Sequence, residues 1–133
     1  MSRVLVDAAG RPSGWIGAIP QSHGRVWEIH PLVVAVSEQG KGYGRQLVRD
    51  LEALAKARGA LTLLAGSSDE TNATTLGGVD LYQDPAQAIT NLRNLKGHPY
   101  EFYVKIGFKV VGVIPDAEGP GKPGIMLAKR VEP

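Results

Sequence analysis

Apolar and polar positions along this chain follow two periods, and the change between them lays out the elements. Short apolar or alternating runs read as strands at residues 4–6, 14–19, 26–36, 61–65, 109–114 and 125–130. One segment departs from that pattern. Tyr43, Leu47, Val48, Leu51, Leu54 and Ala55 form one stripe at helical spacing, while Arg45, Arg49, Glu52 and Lys56 point elsewhere. This predicts an amphipathic helix from Gly42 to about Arg58, with Glu52 and Lys56 as a favourable i,i+4 pair. Gly59 supplies the positive-φ stop.

Turn residues punctuate the rest. The first two strands read as a hairpin around residues 8–12, and a second turn covers 20–25. Pro31 interrupts the third strand. Proline cannot donate to a ladder, so Pro31 marks a bulge or a place where strands part. Residues 66–97 carry neither period, apart from a short helix expected near 85–91. A segment of that length inside a compact domain is usually functional or an insertion. Residues 100–105 predict a further short helix, started by Pro99 and stopped by Gly107. A Pro/Gly-rich link, 115–124, joins the last two strands. The order is three strands, helix, strand, helix and two strands, an α/β arrangement in one domain over residues 1–133.

Composition narrows the function classes. A chain of 133 residues with 43% apolar content can bury a real core. A net charge of +2 without a basic run argues against nucleic acid. With no cysteine there is no disulfide, no thiolate metal site and no cysteine nucleophile, and no metal site is expected. No run approaches the ~18 apolar residues of a membrane span, and the N-terminus lacks a signal-peptide core, so no membrane partner and a cytoplasmic location are expected.

The most telling run is Gln39-Gly40-Lys41-Gly42-Tyr43-Gly44-Arg45, which lies between a strand and a helix start. Backbone N–H groups there lack helical partners, glycines admit close approach, and the helix dipole favours an anion. Lys41 and Arg45 add cationic donors. A P-loop fails because Gly42, not Ser or Thr, follows Lys41. A dinucleotide fingerprint fails because Arg45 stands where a small residue is needed. A glycine-rich turn without a ligand is the plainer alternative.

Other residues could carry chemistry. Glu28 and His30 share one face of a strand, opposite Trp27 and Ile29, and suit a base with an orienting group, or equally a solvated strand edge. Tyr103 lies among Tyr100 and Phe102 on a short helix, where aromatics are usually core, yet a phenol could donate its proton to a leaving thiolate.

The spacing Gln-x-x-Gly-x-Gly, at Gln39, Gly42 and Gly44, resembles the pyrophosphate loop of the GNAT family of acetyl-CoA-dependent N-acetyltransferases. Several further runs are similar to the aminoglycoside 6′-N-acetyltransferases within that family. They are Glu28-Ile29-His30-Pro31-Leu32-Val33-Val34, Thr74-Thr75-Leu76, Asp80-Leu81-Tyr82, Asn94-Leu95, His98 to Gly107, Val111 to Pro115, Lys122-Pro123 and Ala128-Lys129. The resemblance runs from about Trp27 to the end and includes the long segment after Ala65.

It implies a GNAT fold, a mixed and mostly antiparallel sheet with flanking helices. It also implies acetyl transfer from acetyl-CoA to the 6′-amine of an aminoglycoside by direct attack. On the same basis Leu32, Val33 and Val34 would bond the pantetheine arm, and Gln39, Gly40, Lys41, Gly42, Gly44 and Arg45 would hold the pyrophosphate. Asn94 would lie beside the pantetheine, Tyr103 near the CoA sulfur, and Glu28 and His30 beside the acceptor amine.

A polycationic acceptor calls for local acid, since a sequence pI near 9.0 gives no global attraction. Asp69 and Glu70 could supply it, or could form a solvated acidic loop, and Thr71 stands where relatives often carry another acid. Family members begin with a strand and two helices ahead of such a hairpin, whereas Met1 here stands almost at the hairpin. A chain lacking those elements would expose an apolar sheet face and an edge strand, and a homodimer is expected to cover them. The other readings are an N-acetyltransferase for another amine, such as a polyamine or a protein terminus, and a CoA-binding remnant with little activity.

Overall fold

A computed structural model describes residues 1–131. Contacts divide the chain into two compact units, Met1–Leu64 with the residues from Arg130 onward, and Ala65–Lys129.

The first unit is built on a three-strand meander. Strands β1 (Ser2–Val6), β2 (Pro12–Gln21) and β3 (Val26–Val34) pair antiparallel, from Ser2↔Gly17 to Val6↔Pro12 and from Gly14↔Val34 to Gln21↔Val26. Helix α1 (Tyr43–Ala57) follows, and strand β4 (Thr62–Ser68) then pairs parallel with β3 from Val26↔Thr62 to Glu28↔Leu64. The helix buries Leu47, Val48, Leu51 and Ala55, leaves Tyr43 and Leu54 half-buried, and packs on β1, β2 and β3. On the strands, Ile16, Ala18, Trp27 and Ile29 are buried. Each such side chain removed from water contributes roughly 1.5–3 kcal/mol before ordering costs.

The opposite side chains of the same strands are open to solvent. Val4, Trp15 and Val33 are cross-strand neighbours and are 56%, 45% and 51% exposed.

Pro31 does mark a bulge. The β2–β3 register shifts between Ile16 and Ala18, with His30 and Pro31 facing Gly17. A β-carbon on Gly17 would stand 2.7 Å from the His30 carbonyl oxygen, so no side chain fits there. The ladder to β4 extends only to Glu28, while β3 continues to Val34.

In the second unit the remainder of β4 leads through a long loop to α2 (Pro85–Thr90), α3 (Tyr100–Lys105), β5 (Lys109–Ile114) and β6 (Gly124–Arg130). Strands β5 and β6 pair antiparallel from Lys109↔Ala128 to Ile114↔Gly124. Leu76, Leu81, Tyr100, Phe108, Ile125 and Leu127 are its buried apolar residues. The strand order is β1-β2-β3-β4-β6-β5, a mixed sheet with helices, as the α/β reading required.

Element ends moved where polarity hid them. Strand β4 runs on through Gly66, Ser67 and Ser68, which carry no apolar signal. Strand β2 extends both ways from the expected 14–19, and β1 begins at Ser2. Strand β3 stops at Val34, short of 36, because Val36–Glu38 closes a tight 3₁₀ turn.

Candidate active site

Within the first unit the open face of β3 carries the predicted polar pair. Glu28 is half-buried and His30 exposed, whereas Trp27 and Ile29 point inward at 2% and 6% exposure. The Glu28 carboxylate accepts a hydrogen bond from Gln21 Nε2 at the far end of β2. The sequence reading missed Gln21. The signal was available in the hairpin register, which sets Gln21 opposite Val26 and so diagonal to Glu28.

The glycine run forms the joint between β3 and α1. Gly42 is the N-cap of α1 at φ +84°, a left-handed conformation that disfavours any side chain, and no side chain caps the helix start. Gly40 has φ +80°, and a β-carbon at either glycine would meet nothing within 4 Å. The first-turn N–H groups therefore have no side-chain cap, at the positive end of a helix of 15 residues. Gln39 also braces the loop. Its amide nitrogen donates to the Val34 carbonyl oxygen at 3.1 Å, tying the loop to the end of β3. Lys41 Nζ lies 3.0 Å from Glu38 Oε2, which raises the lysine pKa and keeps it charged. Arg45 is exposed on the first turn. Leu32 and Val34 are half-buried and Val33 is exposed, all beyond the end of the β3–β4 ladder.

The other candidates lie in the second unit. Asp69 does not present its charge outward. It is 0% exposed, and its carboxylate accepts from the Thr74 hydroxyl at 2.7 Å and from the backbone N–H groups of Ala73 at 2.9 Å, Thr74 at 3.0 Å and Thr71 at 3.4 Å. Burial pushes this carboxyl up, but those hydrogen bonds together outweigh it and hold the pKa below the ordinary value. Asp69 is the knot of its loop, while Glu70 beside it is exposed.

Asn94 likewise turns onto the backbone. Its Nδ2 donates to the His98 carbonyl oxygen at 3.0 Å, and its Oδ1 accepts from the His98 N–H at 2.7 Å. His98, which the sequence reading did not single out, is buried. Its Nε2 donates to the Ser68 carbonyl oxygen at 2.8 Å and its Nδ1 accepts from the Tyr100 N–H at 3.1 Å, so the two bonds fix its tautomer. Together Asn94 and His98 fasten the start of α3 to the end of β4. Tyr103 sits on α3, edge-on to Phe102 and to Phe108 with ring centres 5.2 Å apart in each pair. Burial raises its pKa, which keeps the phenol protonated near neutrality. Among the described residues there is no cluster of side chains fit to hold a metal ion, and no helix is long and apolar enough to cross a membrane.

Comparison with known proteins adds the following. Residues 2–83 match the family model for acetyltransferases of the GNAT family. The chain is 42% identical to an aminoglycoside 6′-N-acetyltransferase whose crystal structure holds coenzyme A, over 99% of this chain and 73% of that one, with a TM-score of 0.95. It is equally 42% identical to the aminoglycoside 6′-N-acetyltransferase from Enterococcus faecium, over 99% and 74% of the two chains, with a TM-score of 0.94. A third structure, aminoglycoside 6′-acetyltransferase type Ii, shares 36% identity over 99% and 69%, at a TM-score of 0.72. No curated protein sequence gives a significant match.

Proposed function

The chain belongs to the GNAT family of acetyltransferases, and on that premise we propose that it acetylates the 6′-amine of an aminoglycoside, using acetyl-CoA as donor and conferring resistance. The observation that carries this reading is the 42% identity, over 99% of the chain, to an enzyme of that activity complexed with coenzyme A. The donor loop fits such a ligand. Gly40 and Gly42 leave the cradle open, the first-turn N–H groups of α1 are uncapped, and Lys41 and Arg45 stand beside them. We assign the pyrophosphate to residues 39–45 and the pantetheine arm to the backbone of Leu32, Val33 and Val34.

The chemistry assigned to the side chains is acid–base. The neutral amine attacks the thioester carbonyl, a C–N bond forms, the C–S bond breaks, and thiolate leaves. Glu28 takes the proton released by the amine, directly or through water, with His30 as the neighbouring polar group on the same strand face. Tyr103 returns a proton to the thiolate, a role supported by a phenol that burial keeps protonated. Glu70 is assigned to the cationic acceptor. Asp69 and Asn94, both engaged internally, are assigned to holding their segments in place. Residues 1–133 act as one catalytic domain. The enzyme is cytoplasmic, where acetyl-CoA is made, and works as a homodimer, which the exposed Val4, Trp15 and Val33 support.

Thiol release from acetyl-CoA tests this directly. Kanamycin should accelerate it and spermidine should not. Faster release with spermidine alone, or none with any amine, overturns the assignment. Tyr103→Phe should lower kcat by about 100-fold with an unchanged melting temperature, and full turnover in that variant removes the proton-donor role.

A further inference from the structure

The buried polar side chains of the second unit, Asp69, Thr74 and His98, belong to one closed circuit of hydrogen bonds. Asp69 holds the N–H groups of Ala73 and Thr74. Thr74 forms an antiparallel bridge to Asn94, and the N–H groups of Leu95 and Lys96 donate to the Ala73 carbonyl oxygen at 2.8 and 3.0 Å. Asn94 grips the backbone of His98. The His98 ring then returns to the carbonyl oxygen of Ser68, the residue before Asp69. The start of the circuit is fixed in turn, because the Asp69 N–H donates to the Pro123 carbonyl oxygen at 2.9 Å. A ring of bonds closed in this way has no free end through which one member can shift alone.

One arm leaves this circuit. The Tyr100 N–H donates to His98 Nδ1 at 3.1 Å, and Tyr100 opens α3, which carries Tyr103 one turn further on. Helix α3 has only six residues, and its N-cap residue, Pro99, makes no side-chain cap, so its own turn holds it weakly. At the far end the Tyr103 carbonyl oxygen accepts from the N–H groups of Ile106 at 3.2 Å and Phe108 at 2.9 Å, and the Tyr103 ring lies edge-on to the buried Phe108. Tyr103 is thus held from both ends, by Phe108 on one side and by the His98 imidazole on the other. We infer that His98 is a positioning residue for acetyl transfer: it fixes α3 against the end of β4 and so sets the place of the Tyr103 phenol. The two ring nitrogens divide the task. Nδ1 satisfies the first N–H of α3, and Nε2–H tethers it to Ser68. Only the tautomer with its proton on Nε2 does both, since an N–H must donate and a carbonyl oxygen must accept. His98 takes no part in the proton transfer and acts through Tyr103. Misplacing a reacting group by about 1 Å through such a support can cost as much as ~100-fold in rate.

This rests on the proton-donor role given to Tyr103 above, and the experiment separates the two. Asparagine keeps an acceptor at the place of Nδ1 but stops short of Ser68, whereas glutamine reaches as far as Nε2 with an amide N–H. His98→Asn should lower kcat about tenfold and leave the KM for acetyl-CoA within about twofold of the parent, and His98→Gln should restore kcat to within about threefold. In a Tyr103→Phe background His98→Asn should cost less than about twofold, because the step it supports is already lost; a merely structural loss would multiply instead. Amide exchange read by NMR reports the same placement without turnover. The Ile106 and Phe108 N–H groups, which bond Tyr103, should exchange about tenfold faster in His98→Asn and at nearly the parental rate in His98→Gln. Full turnover in Tyr103→Phe alone removes the proton-donor role, and the positioning role falls with it. With Tyr103→Phe slow, four results overturn the positioning role by itself: parental kcat in His98→Asn, the same factor of loss in both backgrounds, a tenfold loss in a folded His98→Gln chain, or unchanged exchange at Ile106 and Phe108 in His98→Asn.

Discussion

Two loops leave the C-terminal ends of strands in this protein, and each gathers backbone N–H groups around a point of negative charge. After β4 the charge is supplied from within. The Asp69 carboxylate collects the N–H groups of Thr71, Ala73 and Thr74 and the Thr74 hydroxyl, and is sealed from solvent. After β3 the charge is not supplied. Gly42 caps α1 with no side chain, and the space in front of Gly40 and Gly42 is open. The same donor chemistry therefore serves a scaffold in one loop and, in the function we propose, a binding site in the other. What separates them is whether the chain spends its own anion on the donors. Satisfied donors make a loop rigid, and unsatisfied donors at a helix start make it receptive.

The widest break in this comparison should come from Asp69→Asn. The amide has one acceptor oxygen and sets an NH₂ group against donors that need acceptors. The loss should be on the order of 2–4 kcal/mol, a fall in Tm of roughly 10 °C. The effect has a pH signature. The Asp69 carboxyl has a lowered pKa when folded, so its contribution is fully present above the unfolded value and is lost as pH falls through the folded value, that is, below about pH 4. Melting curves from neutral pH downward should show the parent chain losing its advantage over the variant only in that acid limb. Parallel curves for the two proteins would mean the carboxylate is not the knot of the loop.

The contrast between the loops also explains what could be read from sequence. The turn at the glycine run was legible because its backbone needs the freedom of glycine, and Gly40 and Gly42, both at positive φ, announce that directly. The amphipathic stripe of α1, the helix at Tyr100–Lys105 and strand β5 were legible because burial imposes a period. The Asp69 loop was not. An acid followed by Glu70 in a polar stretch looks the same whether it faces water or folds onto its own backbone, and only the turn geometry decides. Asn94 and His98 escaped for a related reason. The Asn94 side chain bonds the backbone of His98 and the His98 ring bonds the backbone of Ser68 and Tyr100, and backbone partners leave no trace in residue identity. The polar end of β4 was missed because strand pairing continued after its apolar signal stopped.

Gly42→Ala tests the receptive loop with a smaller effect. Alanine at φ +84° is strained by about 1 kcal/mol, and its methyl enters the open space to which we assign the pyrophosphate. The KM for acetyl-CoA should rise about tenfold while kcat at saturation stays near that of the parent, the mark of lost ground-state binding. Thermal stability should fall by only a few degrees, far less than with Asp69→Asn. Should the variant melt as low as the Asp69 variant, or bind acetyl-CoA as the parent does, the division into scaffold and receptive loop is wrong.

Lys41 gives the finest probe, because it separates the cradle's backbone from its charge. The ammonium is exposed and 3.0 Å from Glu38, so the carboxylate already offsets part of its field. Its attraction for a pyrophosphate should therefore be modest and screened by salt. Lys41→Gln should raise the acetyl-CoA KM by roughly two- to fivefold at low ionic strength and by less at 0.5 M salt, where the Debye length is only about 4 Å. Glu38 raises the lysine pKa, so this contribution persists through the neutral range and fades only as pH rises past the ordinary lysine value of about 10.4. A larger, salt-insensitive loss would place Lys41 in direct, desolvated contact with the ligand. No loss at any salt would leave the cradle to the backbone N–H groups and Arg45.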